Sequence, residues 1–120
     1  MPATVRPIIV SNNLGRLLTF YTGLLGAEEV MRYPEDGDAF YVGLRLGDSE
    51  FGLSSDSAVS PGDPGRMLLS IEVPDVDAVL PQVERLGGTA TSGANDMPWG
   101  QRVAHLTDPD GNVVNLTQQL

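Results

Sequence analysis

The chain reads the same order of signals twice, about 60 residues apart. Each half offers a β-branched run, an amphipathic helix closed by Leu-Gly, a short strand and a hairpin. Val10 matches Val73, Gly26 matches Gly87, and the turn at Gly47-Asp48 matches that at Asp110-Gly111. A duplicated βαβββ unit constrains the fold more than any single strand assignment. It predicts an α+β chain whose helices lie outside and whose two sheets curl around a cavity. The 120 residues are expected to form one domain of two modules, about 4–55 and 66–119.

In the first half, Val5 to Val10 reads as a strand, and Ser11-Asn12-Asn13 offers helix N-caps. Leu14, Leu17, Leu18, Tyr21, Leu24 and Leu25 then recur at helical spacing, with Gly26 placed to end the helix. Glu28 to Tyr33 reads as a strand and Pro34 to Asp38 as a polar turn. Phe40–Leu46 and Ser49–Ser54 form a hairpin about Gly47-Asp48. That register sets Leu44 opposite Phe51 and Val42 opposite Leu53, an apolar face. Tyr41, Gly43 and Arg45 then share the other face with Ser54, Gly52 and Glu50.

Ser55 to Arg66, rich in Ser, Gly, Pro and Asp, reads as the connection. The second half repeats the plan with a strand over Met67–Val73 and a helix capped by Asp75. The helix carries Val76, Val79, Leu80, Val83 and Leu86, ends at Gly87-Gly88, and is expected to kink or weaken at Pro81. Thr89 to Thr91 is a short strand. The closing hairpin turns on Asp108-Pro-Asp-Gly-Asn112, whose residue types favour a tight turn, so Asp108 and Asp110 are read as structural. Its register sets Leu106 against Val114 and Ala104 against Leu116. His105 and Asn115 pair on the other face, beside Val103 and Thr117.

Composition excludes several functions. A net charge of −9 opposes binding to nucleic acid and to an anionic membrane surface. The absence of Cys removes thiolate metal sites and thiol nucleophiles. No run approaches the roughly 18 apolar residues of a membrane helix, and the first residues lack a signal-peptide pattern, so a cytoplasmic protein is expected. No Ser or Thr is placed against the single His with a supporting acid, and no Gly-rich phosphate loop leads into a helix.

Three stretches carry a family resemblance: Leu14-Gly-Arg-Leu-Leu-Thr-Phe-Tyr-Thr-Gly-Leu-Leu-Gly26, Val73-Pro-Asp-Val-Asp-Ala to Leu86-Gly-Gly88, and Pro98-Trp-Gly-Gln-Arg to Asp108-Pro-Asp-Gly-Asn112. With the repeat, they make the chain resemble the vicinal oxygen chelate superfamily of glyoxalase I, extradiol dioxygenases and bleomycin-resistance-type binding proteins. The family's enzymes hold a divalent metal with four side chains, usually His or Glu, on the first and last strands of each repeat. The resemblance places those positions at Arg6, Gly52, Leu68 and Asn115. Arg, Gly and Leu offer no usable donor, so no metal and no other cofactor are expected. A relocated site would need Glu50, Glu72 and His105 to converge. The departure favours the members that bind a ligand without chemistry.

The candidate ligand-binding residues are Arg6, Tyr41, Gly43, Gly52, Leu68, Trp99, His105 and Asn115. Trp99 is either an aromatic wall that stacks on a flat ligand or a loop anchor. His105 is either a hydrogen-bonding, weakly basic group in the cavity or an exposed strand residue. Tyr41 with Gly43 and Gly52 makes either a roomy pocket floor or close strand packing. Arg6 meets an anionic ligand group or pairs with Glu50 or Glu72, and Arg45 opposite Glu50 reads as a cross-strand ion pair. The expected function is sequestration of a small aromatic natural product by a homodimer that exchanges its repeat units. The alternative is a glyoxalase-type lyase or isomerase, with relocated metal ligands or with His105 and a carboxylate as acid and base.

Overall fold

A computed structural model describes residues 5–62 and 67–120. The chain falls into two compact units, the first running to Pro61 and the second starting at Gly62. The module starts expected near residues 4 and 66, and the end of the connection, lie outside the described residues.

In the first unit, β1 (Ile8–Ser11) leads into α1 (Leu14–Leu25), then β2 (Glu28–Tyr33), β3 (Tyr41–Leu46) and β4 (Ser49–Ser55). The sheet order is β1-β4-β3-β2, with β1 parallel to β4 and the other pairs antiparallel. The hairpin register is the expected one, with Leu44 opposite Phe51 and Val42 opposite Leu53. Those four side chains are buried, as are Leu14, Leu17, Phe20, Tyr21 and Leu24 of α1. The Tyr21 ring meets Phe20 and Phe51 edge-on, with centroids 5.1 and 5.3 Å away. Each buried apolar side chain of this size stabilises the fold by about 1.5–3 kcal/mol. α1 is closed at both ends. The Asn13 side chain accepts from the Arg16 amide, and Gly26 takes a left-handed φ of 71° while its N–H donates to the Thr22 carbonyl.

The second unit repeats the plan: β5 (Leu69–Glu72), α2 (Val76–Val79) followed by a 3₁₀ turn (Leu80–Gln82), β6 (Thr89–Ala90), β7 (Asn95–Asp96), β8 (Gln101–Thr107) and β9 (Val113–Gln119). The order is β5-β9-β8-β6, with β5 parallel to β9 and β7 adding to β8. Leu106 faces Val114 and Ala104 faces Leu116, as the alternation predicts, and all four are buried with Val76 and Val83.

The differences from the sequence reading are local. The second helix is shorter than its apolar stripe implies. The α-helix stops at Val79 and tightens into the 3₁₀ turn that contains Pro81, because Pro supplies no N–H to continue the ladder. β1 begins at Ile8 rather than Val5, β5 at Leu69 rather than Met67, and β6 is two residues long. β7 was not anticipated, since Asn95-Asp96 has neither β-branched nor apolar character.

The closing turn is held by one carboxylate. Asp108 Oδ1 accepts from the Asp110 and Asn112 amides at 2.9 and 3.0 Å, and Oδ2 accepts from Asn112 Nδ2 at 2.9 Å. Asp108 is buried, which agrees with its structural reading.

Candidate functional site

Each sheet has a face that carries its helix and a face that does not. The candidate residues on strands lie on the helix-free faces.

In the first unit the rows of the helix-free face follow from the strand register. Ile8, Gly52, Gly43 and Met31 form one row, and Val10, Ser54, Tyr41 and Tyr33 the next. Gly43 and Gly52 are direct partners. A Cβ on Gly52 would lie against the Tyr41 phenol, 2.7 Å from its Cζ, so the ring lies diagonally across the glycine. The space left at Gly52 is therefore taken by the chain's own tyrosine. At Gly43 a Cβ would come within 3.4 Å of the Met31 Cβ. Ile8, Val10, Met31 and Tyr33 are exposed on this face. One row further, the Glu50 carboxylate takes Arg45 at 3.1 Å and Arg6 at 3.6 Å, one guanidinium to each oxygen. Arg6 thus pairs with Glu50. A shallow open depression of about 420 Å³ at β2 is lined by Glu29, Val30, Met31, Arg32 and Glu35, none of which the sequence reading singled out. Arg32 is held above the usual guanidinium range by its hydrogen bond to Glu29.

In the second unit, His105 and Asn115 are cross-strand partners, with Nδ1 to Oδ1 at 2.6 Å. An amide oxygen only accepts, so Nδ1 is the donor of that bond, and in the neutral form of the ring Nε2 carries the lone pair. The backbone of His105 is fixed too. Its N–H donates to Ser92 Oγ, and its carbonyl accepts from the Thr91 and Ser92 amides. Val103 with Thr117, then Gln101 with Gln119, continue the same face toward the start of β8. Gln119 donates to Glu72 at 3.0 Å, and Gln101 Oε1 accepts the indole N–H of Trp99 at 2.9 Å. Trp99 is 68% exposed, in the turn where the Gly100 amide donates to the Met97 carbonyl. The structure thus sets Trp99 at one end of the face that carries His105 and Asn115. At about 3.4 Å of rise per residue, Gln101 and His105 are about 14 Å apart along β8. Leu68 lies exposed just before β5.

The opposite side of β8 carries groups the sequence reading missed. Arg102 donates Nε to Asp96 Oδ1 at 2.8 Å and Nη2 to Asp96 Oδ2 at 3.4 Å, and Nη1 reaches Asp77 on α2. The bond from Arg102 holds the Asp96 carboxyl below its usual range, and Asp96 in turn raises Arg102. Beside it, Gln118 Oε1 accepts the Val76 amide at 2.9 Å. Period-two alternation through Gln101-Arg102 contained the signal, but Asp96 comes from a two-residue strand with none.

The family's metal positions do not fit a divalent ion. Gly52 has no side chain and lies under Tyr41, Arg6 is a cation paired with Glu50, and Leu68 is apolar. Asn115 engages His105 through its oxygen. No three His, Asp or Glu side chains among the described residues gather as a metal-holding group. No helix among them is long and apolar enough to cross a membrane.

Fold and site together define an α+β chain of two βαβββ units with polar and aromatic groups on the helix-free faces. The sequence pattern of the Glyoxalase/Bleomycin resistance protein/Dioxygenase superfamily matches residues 4–116, and the chain belongs to that superfamily. An uncharacterized protein of Mycobacterium bovis is 27% identical over 122 residues, covering 93% of this chain and 80% of that protein. Among solved structures, a glyoxalase/bleomycin resistance protein/dioxygenase family enzyme from Burkholderia phytofirmans superposes with a TM-score of 0.79 at 23% identity, covering 94% of this chain and 95% of its own. The fosfomycin resistance protein FosX from Listeria monocytogenes gives 0.77 at 12% identity, covering 100% and 95%. These two likenesses are likenesses of fold.

Proposed function

We propose that this protein binds and sequesters a small aromatic natural product, without chemistry, in the manner of the superfamily's antibiotic-resistance members. The observation that carries the reading is the helix-free face of the second unit. It has an exposed indole at one end and a paired His105–Asn115 at the other; between them lie the amide side chains of Gln101 and Gln119 and the buried pair Val103–Thr117. Because Gln101 already takes the indole N–H, Trp99 offers a ligand its ring face rather than a donor. His105 Nε2 offers an acceptor and the Asn115 amide nitrogen a donor. The metal positions of the family's enzymes are filled by residues that suit binding better than Lewis-acid chemistry. In this reading Tyr41, beside Gly43 and Gly52, supplies a second aromatic surface, the protein works in the cytoplasm, and two copies combine as a homodimer.

The test uses the single Trp. Its fluorescence is followed while a panel of aromatic antibiotics, beginning with the anthracycline doxorubicin, is titrated with and without divalent metal. Saturable quenching without metal is the expected result, and Trp99→Ala then weakens binding at least about tenfold, the loss of one interface anchor. A response that requires metal overturns the reading. The alternative, a metal-free lyase or isomerase, draws on the Asn115-oriented His105 as acid or base. It predicts turnover that vanishes in His105→Ala.

A further inference from the structure

We propose that Arg102 is the positioning residue of Trp99, fixing the β7–β8 hairpin that presents the indole by cross-linking it to α2. The inference rests on the binding reading only for what the indole touches. β7 is two residues long and adds to β8 through two residue pairs, and at the tip the Gly100 carbonyl accepts the Leu120 amide at 3.0 Å, so the backbone ties of the hairpin are few. Its tip is a turn in which Gly100 adopts φ 91° and the Met97 amide donates to the Gln101 carbonyl, leaving the Trp99 ring exposed. Two adjacent side chains of β8 grip this unit from opposite faces. Gln101 takes the indole N–H on the helix-free face. On the helix face Arg102 reads Asp96 across the hairpin with two nitrogens and Asp77 of α2 with the third. One guanidinium thereby ties β7, β8 and α2.

The magnitudes separate geometry from stability. The Arg102 side chain is 30% exposed, and Asp77 and Asp96 are 58% and 53% exposed, so these ion pairs add little to the folding free energy. A guanidinium is nonetheless a planar fork of fixed geometry, and its three contacts leave the hairpin one orientation relative to α2. Arg102 is therefore expected to matter for where Trp99 sits and hardly at all for whether the unit folds.

The experiment reads Trp99 in R102Q, R102K, D77N and D96N. Without ligand, R102Q lowers the anisotropy of Trp99 and makes it more readily quenched by acrylamide, while the far-UV spectrum is kept. D77N and D96N each show part of the change, and R102K lies between parent and R102Q because an ammonium lacks the fork. With doxorubicin as probe, R102Q binds about tenfold more weakly, the size of a lost anchor. Unchanged anisotropy and quenching in R102Q overturn the proposal. Should R102Q fail to fold, D77N decides alone, since it cuts only the tie to α2; unchanged Trp99 mobility there overturns the proposal as well. A parent chain that binds no probe sinks the binding reading, while the ligand-free arm still decides the role of Arg102.

Discussion

The two units share a plan and differ in their helix-free faces. Both sheets set the first strand parallel to the last and close with an antiparallel hairpin. Both bury the same apolar square on the helix side, Val42, Leu44, Phe51 and Leu53 in one, Ala104, Leu106, Val114 and Leu116 in the other. On the other side the first unit shows Ile8, Val10, Met31 and Tyr33 around a glycine pair, and the second shows Glu72, His105, Asn115, Gln101 and Gln119 around the buried pair Val103–Thr117. The turns and the helix-facing square determine topology and register. The remaining face is then free to diverge, and it is there that a duplicated fold acquires two different chemistries.

The sharpest way to break this comparison is to cut the square in each unit. Leu53 and Leu116 are both fully buried in strands that occupy the same place in their sheets. Leu53→Ala and Leu116→Ala are each expected to cost about 3 kcal/mol, from lost transfer energy and the cavity left behind. Denaturant titration of the two proteins measures it. Losses that differ severalfold would show that the helix sides are not equivalent.

The hairpin turns give a smaller, asymmetric effect. Asp108 is buried and accepts three hydrogen bonds within its own turn, whereas Asp48 in the corresponding Gly47-Asp48 turn is exposed. Asp108→Ala is expected to cost about 2 kcal/mol, since bonds to a charged acceptor are lost and their donors are left partly buried. Asp48→Ala should stay within about 0.5 kcal/mol, as surface substitutions do. Equal costs would mean that the shared plan extends to turn chemistry.

What was legible in the sequence divides along the same line. The paired registers of both hairpins followed from the turn positions together with alternation, because a one-residue slip would expose every residue of the apolar square. α1 was legible because Asn13 and Gly26 mark its ends. The cross-strand pairing of His105 with Asn115 followed from the register of β8 and β9; the bond between their side chains did not. The end of α2 was not, because Val83 keeps helical spacing and is buried even though Pro81 has already broken the α-helix. Nor was the contact of Tyr41 with Gly52, a diagonal relation that depends on a side-chain rotamer. Arg102 was missed because Asp96 sits in a two-residue strand without a periodic signal and Asp77 lies 25 residues away on α2.

The smallest expected effect concerns acid. Asp96 is held below the ordinary carboxylate range by Arg102, and Asp77 is the other carboxylate on that guanidinium. A carboxyl group whose folded value is lowered contributes fully above its unfolded value, and the contribution is lost as pH falls through the folded one. The ordinary Asp value is about 3.9. The anisotropy of Trp99 should therefore stay level from neutral pH down to about 4 and fall only below that. In R102Q it should start lower and show no such step, because no cation holds Asp96. The far-UV spectrum, followed in parallel, separates loosening of the hairpin from acid unfolding of the whole unit. A fall already complete by about pH 5 would place control of Trp99 outside the Asp96–Arg102 pair, since an acid of lowered value is still ionised there.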